Sequence, residues 1–198
     1  MTPPSNSSSK ATTTPPKVYD KVHAKKPMTE KKCAGCGAPV SFGLFGFGAS
    51  VRYCEYTGKY YCHECHTNQV FYIPARVMHY WDFQQYPVCK EAFRDLHAIY
   101  DEPLFSPPAR LCTVSPSFRK LKVLRQQLYF MKDFLMTCTR TNHHLLEDID
   151  PKRRHLVYER DKYSLHDFIE TAQDELLRYV RSLAEAFMTH ITSCQVRA

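Results

Sequence analysis

Cys33-Ala-Gly-Cys36-Gly37 and, after a spacer, Arg52-Tyr-Cys54-Glu-Tyr-Thr-Gly58-Lys-Tyr-Tyr-Cys62-His-Glu-Cys65-His66 form the stretch that decides how the first half of this chain folds. Two Cys-x-x-Cys pairs supply four sulfurs, the ligand set that a closed tetrahedral zinc site requires. A pair at this spacing on a tight turn aims both sulfurs at one ion, and the glycines at 35 and 37 allow the turn. Two disulfides are the competing use of the same cysteines. The chain opens on polar Ser, Thr, Pro and Lys with no apolar leader, so an oxidising compartment is not indicated. The expectation is one zinc held by Cys33, Cys36, Cys62 and Cys65.

Cys54 and His66 are left over, and two readings stand for them. In one they begin a second metal site completed by His63 or His23; in the other Cys54 is a buried core thiol and His66 caps a helix. The spacing resembles a FYVE finger, but Thr57 stands where that finger has its next cysteine, and the basic lipid-binding run is reduced to Arg52. Between the cysteine pairs lies Ser41-Phe-Gly-Leu44-Phe45-Gly-Phe47-Gly, an apolar run with three glycines, too flexible for a good strand. Either it packs onto the finger, or Leu44, Phe45 and Phe47, with Arg52 behind them, meet a bilayer or a partner groove. A FYVE-like finger binding membrane phosphoinositides is therefore the alternative function.

At 198 residues with 43% hydrophobic content the chain suits one compact unit and a tail. Its net charge of +7 is unevenly placed: seven lysines and two acids fall within residues 1–32, leaving +2 for the rest. Residues 1–32 read as a disordered tail, too poor in large apolar side chains to offset chain entropy. The finger itself is not basic enough for a nucleic-acid reader, so no nucleic-acid partner is expected. No Ser/His/Asp arrangement, phosphate loop or His-Glu-x-x-His helix is present, and four thiolates on one zinc leave no position for a catalytic water, so no enzyme is expected.

Beyond the finger, Ile73-Pro-Ala-Arg76-Val and Trp81-Asp82-Phe83 read as a bridge to a helical body, with Trp81 in the core and Arg76 paired with Asp82. A helix is expected from Pro87 to about Tyr100, and another from Ser115-Pro116, carrying Leu121, Leu124, Leu128, Met131, Leu135 and Cys138 at alternating gaps of three and four. Cys138 reads as core on that stripe, and Cys89 and Cys112 as structural. Asp148 to Asp161 reads as a charged connector. A last helix starts at Ser164, with Asp167 three residues on, and runs through Phe168, Leu176, Val180, Phe187 and Ile191. Adjacent His143 and His144 point different ways and are not expected to share an ion. The fold expected is α+β, mainly α: a small zinc-stabilised β/loop finger, FYVE-like, over 33–72, packed on an antiparallel helical body over 73–194.

These runs, in this order, resemble the Rubicon homology domain, shared by Rubicon, Pacer, the pleckstrin-homology family M adaptors and the differentially-expressed-in-FDCP proteins; Leu124-Arg-Gln-Gln and Tyr163-Ser-Leu-His-Asp look closest to the last. The resemblance implies a zinc-dependent binding module, cytoplasmic and peripheral on late endosomes and lysosomes. It implies a late-endosomal Rab GTPase as partner, with a pleckstrin-homology family M adaptor as a further one, and a role in lysosome positioning or autophagy. Family members continue past the last helix into a second zinc cluster, whose opening resembles His190-x-x-x-Cys194. The expectation is an incomplete cluster in a C-terminally truncated chain.

Overall fold

A computed structural model describes residues 21–41, 51–138 and 144–195. The Leu44, Phe45 and Phe47 loop, His143 and residues 1–20 lie outside them. The finger is built on a hairpin. β1 (Val51–Cys54) and β2 (Lys59–Cys62) pair antiparallel, Val51 opposite Cys62 and Cys54 opposite Lys59. Its turn closes through Gly58, whose φ of +69° a side chain would resist.

β3 (Gln69–Tyr72) follows the second cysteine pair and pairs antiparallel with β4 (Gln85–Val88). α1 (Pro74–Tyr80) sits between these strands, with Pro74 in its first turn, where no amide donor is missed. It ends at Trp81, whose backbone is left-handed (φ 57°) and whose N–H returns to the carbonyls of Arg76 and Val77. The helix expected from Pro87 starts later. Pro87 is in β4, where it needs no N–H of its own and its carbonyl accepts from Glu55 N at 3.0 Å. α2 (Lys90–Ala98) then begins after Cys89.

The helical body is led by α4 (Pro116–Thr137), which follows the short α3 (Leu111–Val114). Ser115 caps α4, its Oγ accepting from Phe118 N at 3.1 Å, worth about 1 kcal/mol. The buried stripe is Phe118, Leu121, Leu128, Met131 and Leu135, joined by fully buried Arg125. The expected connector holds structure of its own: α5 (His144–Glu147), a 3-10 turn (Pro151–Arg153) and α6 (His155–Tyr158), with Leu156 and Val157 in the core. The single last helix is two. α7 (Leu165–Ala172) opens with the expected capping box, Ser164 Oγ and the Asp167 carboxylate each accepting from the other's amide. Asp174, at φ 58°, then breaks the path, and α8 (Glu175–Gln195) leaves in a new direction.

The two long helices do pack together, but not antiparallel. Ser117 at the start of α4 donates to the carboxylate of Asp174 at the start of α8, at 2.8 Å. At the other end, Cys138 and Cys194 sulfurs lie 3.1 Å apart. α4 and α8 therefore run parallel. The reason is the long connection, whose α5, α6 and α7 carry the chain back to the start of α4, as a crossover does in bundles of mixed direction. Aromatic rings join the layers: Phe118 and Tyr163 (centroids 5.1 Å), Tyr163 and Phe168 (5.5 Å), and Trp81 against Phe118 (6.0 Å). Among the described residues no helix is long and apolar enough to cross a membrane.

Candidate metal centres

The four sulfurs of Cys33, Cys36, Cys62 and Cys65 lie within 4.8 Å of one another. Local backbone places each. Gly37, at φ 74°, turns the first loop, closed by Cys33 N to Ala38 O at 2.8 Å and Gly37 N to Cys33 O at 2.9 Å. Ala34 N donates to Tyr60 O at 2.9 Å, pinning that loop to β2. Cys62 ends β2, and a turn carries Cys65 back beside it. A side chain at position 35 would place its first carbon 3.0 Å from Cys65 Sγ, so glycine keeps the pairs close.

The donor set fits zinc. Sulfurs at about 2.3 Å from a tetrahedral ion stand about 3.8 Å apart, and Cys36 and Cys62 sulfurs are separated by 3.7 Å. Cys33 Sγ accepts amide hydrogens from Cys62 (3.2 Å) and Gly35 (3.4 Å). Burial raises the Cys33 thiol, but amide donors from Cys36, Cys62 and Gly35 outweigh it and bring it down to about 6. Cys65 is pushed up to about 12 by burial and by the sulfurs around it, which cannot all be thiolates without a cation between them.

Cys54 and His66 stand outside this group. His66 Nε2 lies 3.1 Å from Tyr53 O, and Nδ1 accepts from Asn68 N at 3.2 Å, so both ring nitrogens are engaged by backbone. Cys54 is fully buried beside Cys89. The Cys89 thiol lowers Cys54 to about 5 against the effect of burial, while Cys89 itself is driven up, first by Cys54 and then by burial. His63 is exposed and meets Glu64 at 3.1 Å. Arg52 donates to His66 O, which occupies the remnant of the basic motif within the finger.

A second group assembles where α4 and α8 end. His190 and Cys194, four residues apart on one face of α8, meet Cys138: His190 Nε2 lies 3.4 Å from Cys138 Sγ and 3.6 Å from Cys194 Sγ. Sulfur and imidazole on one tetrahedral zinc stand about 3.5 Å apart. The sulfur pair, at 3.1 Å, is tighter than such an ion would set it. Cys138 is the ligand candidate that its place on an apolar stripe disguised. Because the helices are parallel, both present their negative dipole ends here, which favours a cation.

Arg76 links the finger to the body. Its guanidinium reaches Glu55 in the hairpin turn (3.3 Å) and Asp82 after α1 (3.7 Å), and lies over the Tyr86 ring at 4.1 Å. The expected pair with Asp82 is present, and Glu55 adds a second.

The architecture and its cysteine groups define a cysteine-rich α+β domain with two candidate metal centres. The profile described as Rubicon Homology Domain matches residues 52–197, and the chain belongs to that family. Over 167 residues it is 32% identical to the Mus musculus protein associated with UVRAG as autophagy enhancer, covering 83% of this chain and 25% of that one. Over 169 residues it is 31% identical to the Drosophila melanogaster homolog of differentially expressed in FDCP 8 (82% and 34% covered). Over 171 residues it is 32% identical to the Homo sapiens pleckstrin homology domain-containing family M member 3 (83% and 22% covered). The chain thus spans between about a fifth and about a third of the length of these relatives.

Proposed function

We propose that this chain is a zinc-dependent, non-catalytic binding module that engages a GTP-loaded late-endosomal Rab GTPase, peripheral on late endosomes and lysosomes. The observation that carries the reading is the four-sulfur group. Cys33, Cys36, Cys62 and Cys65 fill every position of a tetrahedral ion, which then cross-links loops and leaves no site for substrate. The second group, Cys138, His190 and Cys194, is a further zinc site of the same kind, lacking one ligand among the described residues. Family membership, with relatives named for autophagy and for pleckstrin homology, supports a role in autophagy or endolysosome positioning, with a pleckstrin-homology family M adaptor as a second partner.

A docking face is available on α4. Val123, Phe130 and Phe134 are exposed along it, each about half accessible or more. Metal analysis of the purified chain is expected to find at least one zinc per molecule; a folded, metal-free protein overturns the zinc reading. Pull-down with nucleotide-locked Rab proteins is expected to recover the GTP form preferentially, and equal recovery of both forms overturns the GTPase reading.

A further inference from the structure

We propose that the face of the finger carrying Lys25, Lys26, Lys32 and Lys59 binds the anionic surface of a lipid bilayer. The inference is independent of the GTPase reading. The sequence assigns residues 21–32 to a disordered tail, yet they run along the finger. Tyr60 donates its hydroxyl to Lys26 O at 2.8 Å, and Lys25 Nζ lies 5.6 Å from the centre of the Tyr53 ring. His23 packs on Gly58 so closely that a side chain at 58 would place its first carbon 2.6 Å from the imidazole. Val22 and Met28 pack against the core, and Lys32 pairs with Pro39 in a β-bridge. Lys26, Lys32 and Lys59 thereby line one groove, and Lys25 lies over Tyr53, whose ring packs on Tyr60 of the same groove, where a free tail would spread these charges.

The same side holds an open groove of about 830 Å³, lined by Lys26, Met28, Lys32, Gly37, Lys59 and Tyr60, with Glu30 as its one acidic lining residue. The nearby acids are occupied: Glu55 by Arg76 and Glu64 by His63. Among the described residues no carboxylate forms an ion pair with these four lysines. Four like charges set against the single carboxylate of Glu30 leave a net positive face that favours an anionic partner, and the chemistry chooses which. Lysine is a hydrated point charge on a flexible stem, suited to the diffuse field of a charged membrane rather than to bidentate reading of one group. A single-stranded nucleic acid would need free rings for stacking. Tyr53 and Tyr60 instead lie against each other, centroids 5.1 Å apart, and the Tyr60 hydroxyl is spent on Lys26 O.

The test is co-sedimentation of the full chain with phosphatidylcholine vesicles, with and without phosphatidylserine, at low and high salt. Binding is expected only with phosphatidylserine and is expected to fall at high salt, where the Debye length shrinks. Each lysine near such a surface contributes about fivefold in affinity. Replacing Lys25, Lys26, Lys32 and Lys59 together by Gln should therefore weaken binding about six-hundredfold, with Lys10 and Lys17 left in place. All four are exposed, so the fold should persist, checked by an unchanged thermal transition. His23→Ala keeps every lysine but loosens the segment, and should weaken binding severalfold. Binding to neutral vesicles, or an unaffected quadruple variant, overturns the proposal. An unaffected His23→Ala returns the charge to a free tail and overturns the fixed face. Tighter binding of a fluorescent single-stranded oligonucleotide than of phosphatidylserine vesicles assigns the face to nucleic acid and likewise overturns it.

Discussion

Arg125 interrupts the apolar stripe of α4 and is nonetheless fully buried. Among the described residues no carboxylate forms an ion pair with it. Its guanidinium donates to four carbonyls: Leu156 (3.2 Å), Lys162 (2.8 Å), His155 (3.0 Å) and Glu159 (2.7 Å), and it lies 4.1 Å from the centre of the Tyr163 ring. The Leu156, Glu159 and Lys162 carbonyls are otherwise open where α6 ends and the chain turns toward α7, and His155 O also accepts from Glu159 N at 3.0 Å, so one side chain caps a short helix from inside the core. Arg125→Met keeps the length of the side chain but strands those acceptors. It should cost about 3 kcal/mol, read as a lower urea midpoint with unchanged slope; a midpoint within error of wild type would remove Arg125 from the account. Cys62 carries a different burden. Its sulfur belongs to the four-sulfur group and its amide donates to Cys33 Sγ at 3.2 Å. Cys62→Ser replaces a thiolate with a hydroxyl that does not ionise at neutral pH, so the site should lose its metal and the cysteine loops over 33–41 and 51–66 their protease resistance. Far-ultraviolet circular dichroism should stay close to wild type, because the long helices lie outside the finger. An unaltered protease pattern would contradict the role given to this sulfur.

Elements differ in how openly the sequence declares them. α4 was legible because Ser115-Pro116 marks its start and its apolar gaps alternate three and four. The break between α7 and α8 was hidden, because Asp174 takes a left-handed conformation that sequence reading reserves for glycine or asparagine. β4 was hidden by Pro87, a poor strand residue that is tolerated because only its carbonyl is used. The first cysteine group was legible because its spacing is local. Cys138 was not, because its partners arrive through the direction of two helices, which periodicity leaves undetermined. The 21–32 segment was illegible for a similar reason: low apolar content predicts disorder, but His23 finds a seat that only Gly58 provides. Gly58→Ala tests that seat. The substitution strains a positive φ, costing about 1 kcal/mol, and its methyl group would collide with the imidazole. The expected result is rapid proteolysis within 21–32 while the four-sulfur group keeps its metal; equal protection of that segment in both proteins would show that the contact does not hold it.

At the scale of the molecule the question is whether finger and body fold as one. Besides the β3–β4 pairing and the Cys54–Cys89 contact, three polar links join them among the described residues. Arg76 bridges Glu55 and Asp82, Lys90 N at the start of α2 donates to Cys65 O at 2.9 Å, and Glu55 N donates to Pro87 O at 3.0 Å. The second of these runs from a metal-candidate cysteine directly into a helix N-terminus, so ordering of the cysteine loop also satisfies an orphan amide of α2. Trp81, the single tryptophan, touches Phe118 and Phe168 and reports the helical body alone. Removing metal with a chelator from a Cys138→Ser/Cys194→Ser variant, which lacks the second proposed site in the body, should therefore lower the urea midpoint of Trp81 fluorescence, although all four cysteines of the finger site lie outside the Trp81 cluster. The Arg76 and Glu55 side chains are about a quarter exposed, which limits their pair to about 1 kcal/mol. In Arg76→Gln the chelator-induced shift should shrink by about that amount, and combining it with Glu55→Gln should add little more, since the two share one interaction. A Trp81 transition indifferent to chelation would mean that the finger and the body are stable independently, and that the three links record contact without coupling.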